Sequence, residues 1–107
     1  MPDWAKYVAM HLRAARGETN YLSRASTLRL QTLVPGCEYS LGWMVVERDW
    51  AGGKALTHGG TNGRHFALVW IAPARDFAVA VATNLGGEAS FSGLDATVAE
   101  LIRIHLP

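Results

Sequence analysis

At 107 residues, half of them hydrophobic and 18% charged, the chain is long enough for one core and too apolar for a disordered segment. Ten Lys and Arg against nine Asp and Glu leave a net charge of +1, which offers no basic footprint for nucleic acid and no polybasic patch for a membrane surface. The single cysteine, Cys37, excludes an internal disulfide; its nearest charge, Glu38, does not favour a thiolate, and we expect an inert, half-buried thiol.

Asp3 is placed to cap a first helix, on which Trp4, Val8, His11, Leu12 and Ala15 share one face and which Gly17 ends. His11 reads as an ordinary helix-face residue. Ser23 is a good cap for a second helix carrying Leu28, Leu30 and Leu33, stopped by Pro35-Gly36. From Tyr39 the composition turns to aromatic and β-branched residues. We expect strands over 39–48 and 54–58 around a turn at Ala51-Gly52-Gly53.

Phe66–Ile71 and Phe77–Ala82 are apolar at every position, as strands covered on both faces are. Pro73-Ala74-Arg75-Asp76 between them predicts a tight hairpin turn. These runs are too short to span a bilayer, and the N-terminus lacks a signal-like apolar stretch, so the chain as given reads as cytoplasmic; a precursor exported to the periplasm or outside would need a segment beyond it. After Asn84-Leu85-Gly86-Gly87, Ser90 or Ser92 is expected to cap a last helix with Phe91, Leu94, Val98, Leu101, Ile102 and His105 along one stripe. The expected fold is α+β, a single domain over 1–107. It has helices within 1–36, an antiparallel sheet of three to four strands within 37–84 and a C-terminal helix over 88–106.

Leu56-Thr57-His58-Gly59-Gly60-Thr61-Asn62-Gly63 is the most informative segment. Three glycines and a Thr-Asn pair are poor strand material, which leaves a loose hairpin loop or a site where another group approaches the backbone closely. His58-Gly59-Gly60-Thr61-Asn62 resembles the His-x-Gly-Ser/Thr-Asn element of the β-lactamase-related serine hydrolases, which include class C β-lactamases, DD-peptidases (penicillin-binding proteins) and esterases. Tyr39-Ser40-Leu41-Gly42-Trp43 is similar to that family's Tyr-Gly-Leu-Gly-Trp strand. Val69 to Phe77 and Val79 to Asn84 look like its last hairpin. The resemblance covers the chain but only the last third of a complete family member. It implies that His58 points into a cleft as a polar or proton-handling group, that Thr61 offers a backbone oxyanion donor, and that Gly60 and Asn62 border the substrate. It implies no cofactor, and a small-molecule substrate only once the rest of such an enzyme is supplied.

The nucleophile of that family is the Ser of Ser-x-x-Lys. None of Ser23, Ser26, Ser40, Ser90 and Ser92 has a Lys three residues on; the lysines are Lys6 and Lys54. The Tyr-x-Asn element is missing as well, since Tyr7, Tyr21 and Tyr39 precede Ala9, Ser23 and Leu41 at that spacing. His11, His58, His65 and His105 have no metal-ligand spacing, and His105 suits a helix C-terminus as a cation. A triad drawn from Ser40, His58 and Asp76 has no nucleophile-elbow sequence behind it. Trp43 and Trp70 read as core, whereas Trp4 and Trp50 lie beside polar residues and are candidates for a partner contact. The chain is therefore expected to be a truncated hydrolase-like protein, non-catalytic alone, or else part of an active hydrolase whose nucleophile lies on another segment or chain. Without the strands that such enzymes place beside the last one, strand 77–83 becomes an open apolar edge. A homodimer through it is the expected assembly.

Overall fold

Two short alanine- and valine-rich strands with no charged side chain in them pair as a hairpin between two helix layers, as their continuous apolar patterning predicts. The computed structural model describes residues 1–18 and 21–106. In chain order these form α1 (Pro2–Ala15), α2 (Arg24–Leu30), β1 (Met44–Arg48), β2 (Gly53–Thr61), β3 (Phe66–Ala72), β4 (Phe77–Thr83) and α3 (Glu88–His105). The four strands make one antiparallel sheet in the order β1-β2-β3-β4, which is α+β as expected. The β3–β4 hairpin has Phe66 opposite Thr83 and Ala72 opposite Phe77, around a 3-10 turn in which Asp76 takes φ 49°.

Alternation along the strands divides the sheet into two faces. Leu56, Val69 and Ile71 meet Val8 of α1 and Trp43 on one face, while Leu68 and Val79 meet Leu94 and Val98 of α3 on the other. Both faces of β3 and β4 are thus covered, and this sandwich explains why polar residues are absent from those runs. Burying each of Val, Leu or Ile stabilises by about 1.5–3 kcal/mol, so Leu56, Leu68, Val69, Ile71 and Val79 make a large contribution from the sheet.

Several local expectations change. α1 starts at Pro2 with Met1 at the N-cap, and Asp3 sits in the first turn, bound to Lys6 at 3.0 Å instead of capping. α2 is capped by Ser23 as expected, its hydroxyl accepting from Ser26 N–H at 3.1 Å, but it ends at Leu30, and Leu28 and Leu33 face outward. The strand predicted from Tyr39 begins only at Met44. Gly42 adopts φ 103° and Ser40 N–H bonds Trp43 carbonyl at 2.7 Å, so 40–43 is a turn that an extended chain cannot make. α3 begins at Glu88 behind Gly87, not at a serine; Ser90 bonds the Gly86 carbonyl from inside the helix at 3.0 Å.

Within the last helix Leu94 and Val98 are buried, while Phe91 is half exposed and leans on Phe66. Cys37 is exposed where a half-buried thiol was expected, because α2 has ended and the segment around it forms a surface turn. His11 shares its helix face with buried Val8 and is itself fully buried, edge-on to both Tyr7 and Trp43 with ring centroids 5.0 Å away in each case. Trp4 packs on the α1-side core and Trp50 meets Trp70 edge-on at 5.8 Å, so both tryptophans are partly buried by the fold itself.

Candidate functional site

The glycine-bearing segment is strand, not loop. β2 continues to Thr61, whereas β1 pairs with it only as far as Thr57, opposite Met44. Residues His58, Gly59, Gly60 and Thr61 therefore have β3 on one side and, among the described residues, no strand on the other, and all four are exposed. The direction of their backbone groups follows from the ladder. Asn62 N–H donates to the His65 carbonyl, and bonded and non-bonded pairs alternate in an antiparallel ladder. Gly60 and His58 thus turn toward β3, while the N–H and C=O of Gly59 and Thr61 turn toward the vacant side. The β1 side agrees, since Val45 N–H points away from β2 and bonds Glu38 carbonyl at 3.3 Å.

Beside this free edge stands a polar pair. His58 follows Leu56 by two residues and shares its face, and its Nδ1 lies 2.6 Å from the Tyr39 hydroxyl, with the rings 6.2 Å apart. Tyr39 is brought there by the 40–43 turn and a single bridge to Met44. The sequence offered no signal for this contact, because Tyr39 was read as a strand residue rather than as the start of a turn.

Hollows open on both faces of the segment. One, of about 320 Å³, includes Tyr39, His58, Gly59, Phe91 and Asp95. The other, of about 540 Å³, is a shallow tray whose floor is the cross-strand row Gly60, Ala67, Ala82, with Thr61 and His65 at its rim. A Cβ built on Gly60 meets nothing within 4 Å, and one on Gly59 makes only ordinary contacts at 3.6 Å. The close backbone approach within this segment is at its last glycine, Gly63: a Cβ on Gly86 would be 2.0 Å from the Gly63 carbonyl oxygen, so the 84–87 loop rests on the β2–β3 turn.

That turn uses up much of the polar chemistry of Thr61 and Asn62. Thr61 Oγ1 donates to His65 carbonyl at 2.7 Å and accepts from Gly63 N–H at 3.0 Å. Asn62 Oδ1 accepts from Arg64 and His65 N–H at 3.1 and 2.8 Å. The Thr61 backbone N–H and C=O and the Asn62 amide nitrogen remain to be offered outward among the described residues. Gly63, at φ 83°, supplies the left-handed position the turn requires.

Each serine is committed to the fold. Ser40, buried, donates to Leu30 carbonyl at 2.7 Å, Ser23 and Ser26 bond each other, and Ser92 bonds Glu88 carbonyl. Asp76 is paired to Arg16 in the β3–β4 turn, beyond the Ala72–Phe77 pair and away from His58, so Ser40, His58 and Asp76 do not assemble. Among the described residues no three His, Cys, Asp or Glu side chains come together, and no helix is long and apolar enough to cross a membrane. Outward backbone N–H groups beside an imidazole are chemically able to hydrogen-bond a carbonyl oxygen. No family model, curated protein or solved structure matches the chain.

Proposed function

We propose that the chain provides one wall of a β-lactamase-like acyl-recognition site and has no acyl-transfer activity by itself. The observation that carries this is the overhang of β2, which leaves the Thr61 and Gly59 N–H groups on a vacant edge next to the His58–Tyr39 pair. A rigid strand edge holds donors where a carbonyl oxygen accumulates charge. The motif resemblance of His58 to Asn62 names the substrate class as a lactam, peptide or ester. His58 stands beside the carbonyl, the Thr61 N–H binds its oxygen, and Gly60 and Asn62 border it.

An NMR titration of the labelled chain with benzylpenicillin tests the wall. Amide shifts confined to Tyr39 and residues 58–62, with affinity in the roughly millimolar range of a single wall, support it. Shifts elsewhere, or none at all, sink it. Hydrolysis of a chromogenic cephalosporin or a p-nitrophenyl ester, lost in His58→Ala, would instead overturn the non-catalytic part.

A second reading, a portion of a working hydrolase completed by another segment or chain, is favoured by one observation. Leu28, Leu33, Val34, Tyr39 and Leu41 are all 40–51% exposed, apolar surface in the α2 region on the His58 side of the chain. An in-frame Ser-x-x-Lys in the DNA upstream decides for it, and a stop codon there decides against it. In either case we take strand 77–83 to be a self-association edge.

A further inference from the structure

We infer that the second copy docks by a two-fold rotation centred on Ala80, joining β4 to its own mate in one particular register and closing both helix layers at the same time. This rests on the proposed self-association at strand 77–83 and specifies the partner and its geometry.

The register of the sheet supplies the first argument. His58 and Val69 are a bonded pair, so Val69 spends its backbone groups on β2 while Leu68 and Trp70 spend theirs on Val81 and Val79 of β4. Ala78, Ala80 and Ala82 consequently turn their N–H and C=O groups outward, where no strand lies among the described residues. These positions are spaced by two and symmetric about Ala80. An antiparallel copy satisfies all of them at once, Ala78 with Ala82 of the copy, Ala80 with Ala80, Ala82 with Ala78. No charged side chain, proline or bulge on β4 guards against this pairing.

The helices supply the second argument, and it selects a copy of this chain over a lone peptide strand. α1 packs evenly on β3 and β4, so its axis lies roughly above the gap between them, while α3 touches both strands but sits nearer β4. With strands about 4.8 Å apart, the symmetry-related α1 helices would lie about 10 Å from each other, the interaxial distance of packed helices.

The facing flanks suit such packing. The C-terminal Arg16 of α1 meets Asp76 just before β4 begins, so α1 runs antiparallel to the strand. Its free flank over β4, Pro2, Ala5, Ala9 and Leu12, borders an apolar groove of about 620 Å³. On α3, Asp95, Ala99 and Ile102 line the hollow toward β1, which leaves Gly93, Thr97 and Ile104 on the opposite flank, above the β4 edge. Ile104 is 53% exposed there, and Ala5 and Ala9 are small enough for a close crossing. A single added peptide strand would satisfy β4 but leave both flanks bare.

Sedimentation and cross-linking test the geometry. The wild-type chain at tens of micromolar should sediment at twice its 11.6 kDa. In a Cys37→Ser background, Ala80→Cys should cross-link to itself under mild oxidation, since a bonded antiparallel pair has Cα atoms about 5.5 Å apart, within disulfide reach. Ala82→Cys alone should not, being about 13 Å from its own symmetry mate in this register, whereas mixed with Ala78→Cys it should. Ala82→Lys, at an exposed position, and Ile104→Asp should each give a folded monomer by circular dichroism. A wild-type monomer at hundreds of micromolar overturns the inference. So does a dimer that survives Ala82→Lys and Ile104→Asp without cross-linking at 80. The penicillin titration is read at Tyr39 and residues 58–62, with β3 between β2 and β4, so its failure and the failure of this dimer are separately visible.

Discussion

Gln31 reaches back from the end of α2 to place its Nε2 3.1 Å from Nδ1 of His11 and 3.3 Å from the His11 carbonyl, and both residues are buried. An amide nitrogen only donates, so His11 Nδ1 accepts and its proton sits on Nε2, which has no hydrogen-bond partner among the described residues. This pair ties α2 to α1. Gln31→Leu leaves the buried Nδ1 unsatisfied and is expected to cost about 1–3 kcal/mol in urea unfolding. A change below half of one kcal/mol would show that the helices are held by other contacts.

Burial of His11 pushes its pKa below the ordinary histidine value of 6.5. The folded state therefore prefers the neutral ring more strongly than the unfolded state does. Its contribution to stability is complete above pH 6.5 and is lost as the pH falls from there toward the lowered folded-state value, by at most about 1.4 kcal/mol per pH unit. His11→Gln removes this slope. Unfolding midpoints measured from pH 8 to pH 5 should fall more steeply for the wild type than for the variant, and parallel curves would dismiss the role.

Gly86→Ala places a Cβ against the Gly63 carbonyl, whereas Gly60→Ala meets only open space. The first should destabilise by about 2 kcal/mol or more, through strain or through separation of the two loops. The second should change stability by less than about 1 kcal/mol while weakening the penicillin-induced shifts, because the new methyl occupies the tray. Equal effects on stability would remove the distinction between a packed glycine and an open one.

Tyr39→Phe deletes the hydroxyl that touches His58 Nδ1 at an exposed site. Stability should move by no more than about 0.5 kcal/mol, but the balance of His58 tautomers should change. Nitrogen-15 shifts of the imidazole report it directly. An unaltered ring spectrum would mean that the phenol does not orient the imidazole.

The comparison of sequence and structure turns on which residues carry their own instructions. Ser23 capped α2 as read, because a cap needs only its own helix. Phe66–Ala72 and Phe77–Thr83 became the central hairpin, since a wholly apolar pattern demands cover on both faces. Gly42 was the misread residue: one positive φ converted the 39–43 segment from strand to turn, and a glycine's φ cannot be told from the letters around it. His11 was placed on the correct helix face, but its partners Gln31 and Trp43 lie on other elements and could not be read from the helix alone.

Composition and patterning alone thus determined the α+β class, the both-sides-buried hairpin and the absence of Ser-x-x-Lys. The vacancy beside Gly59 and Thr61 was decided only in three dimensions, because a free edge depends on the relative lengths of neighbouring strands, and β1 stops at Met44 while β2 runs on to Thr61. The outward turn of Ala78, Ala80 and Ala82 was decided the same way, by a ladder parity set at the distant Asn62–His65 turn. Periodicity shows which side chains a strand buries. Only pairing shows which of its backbone groups remain to be bonded.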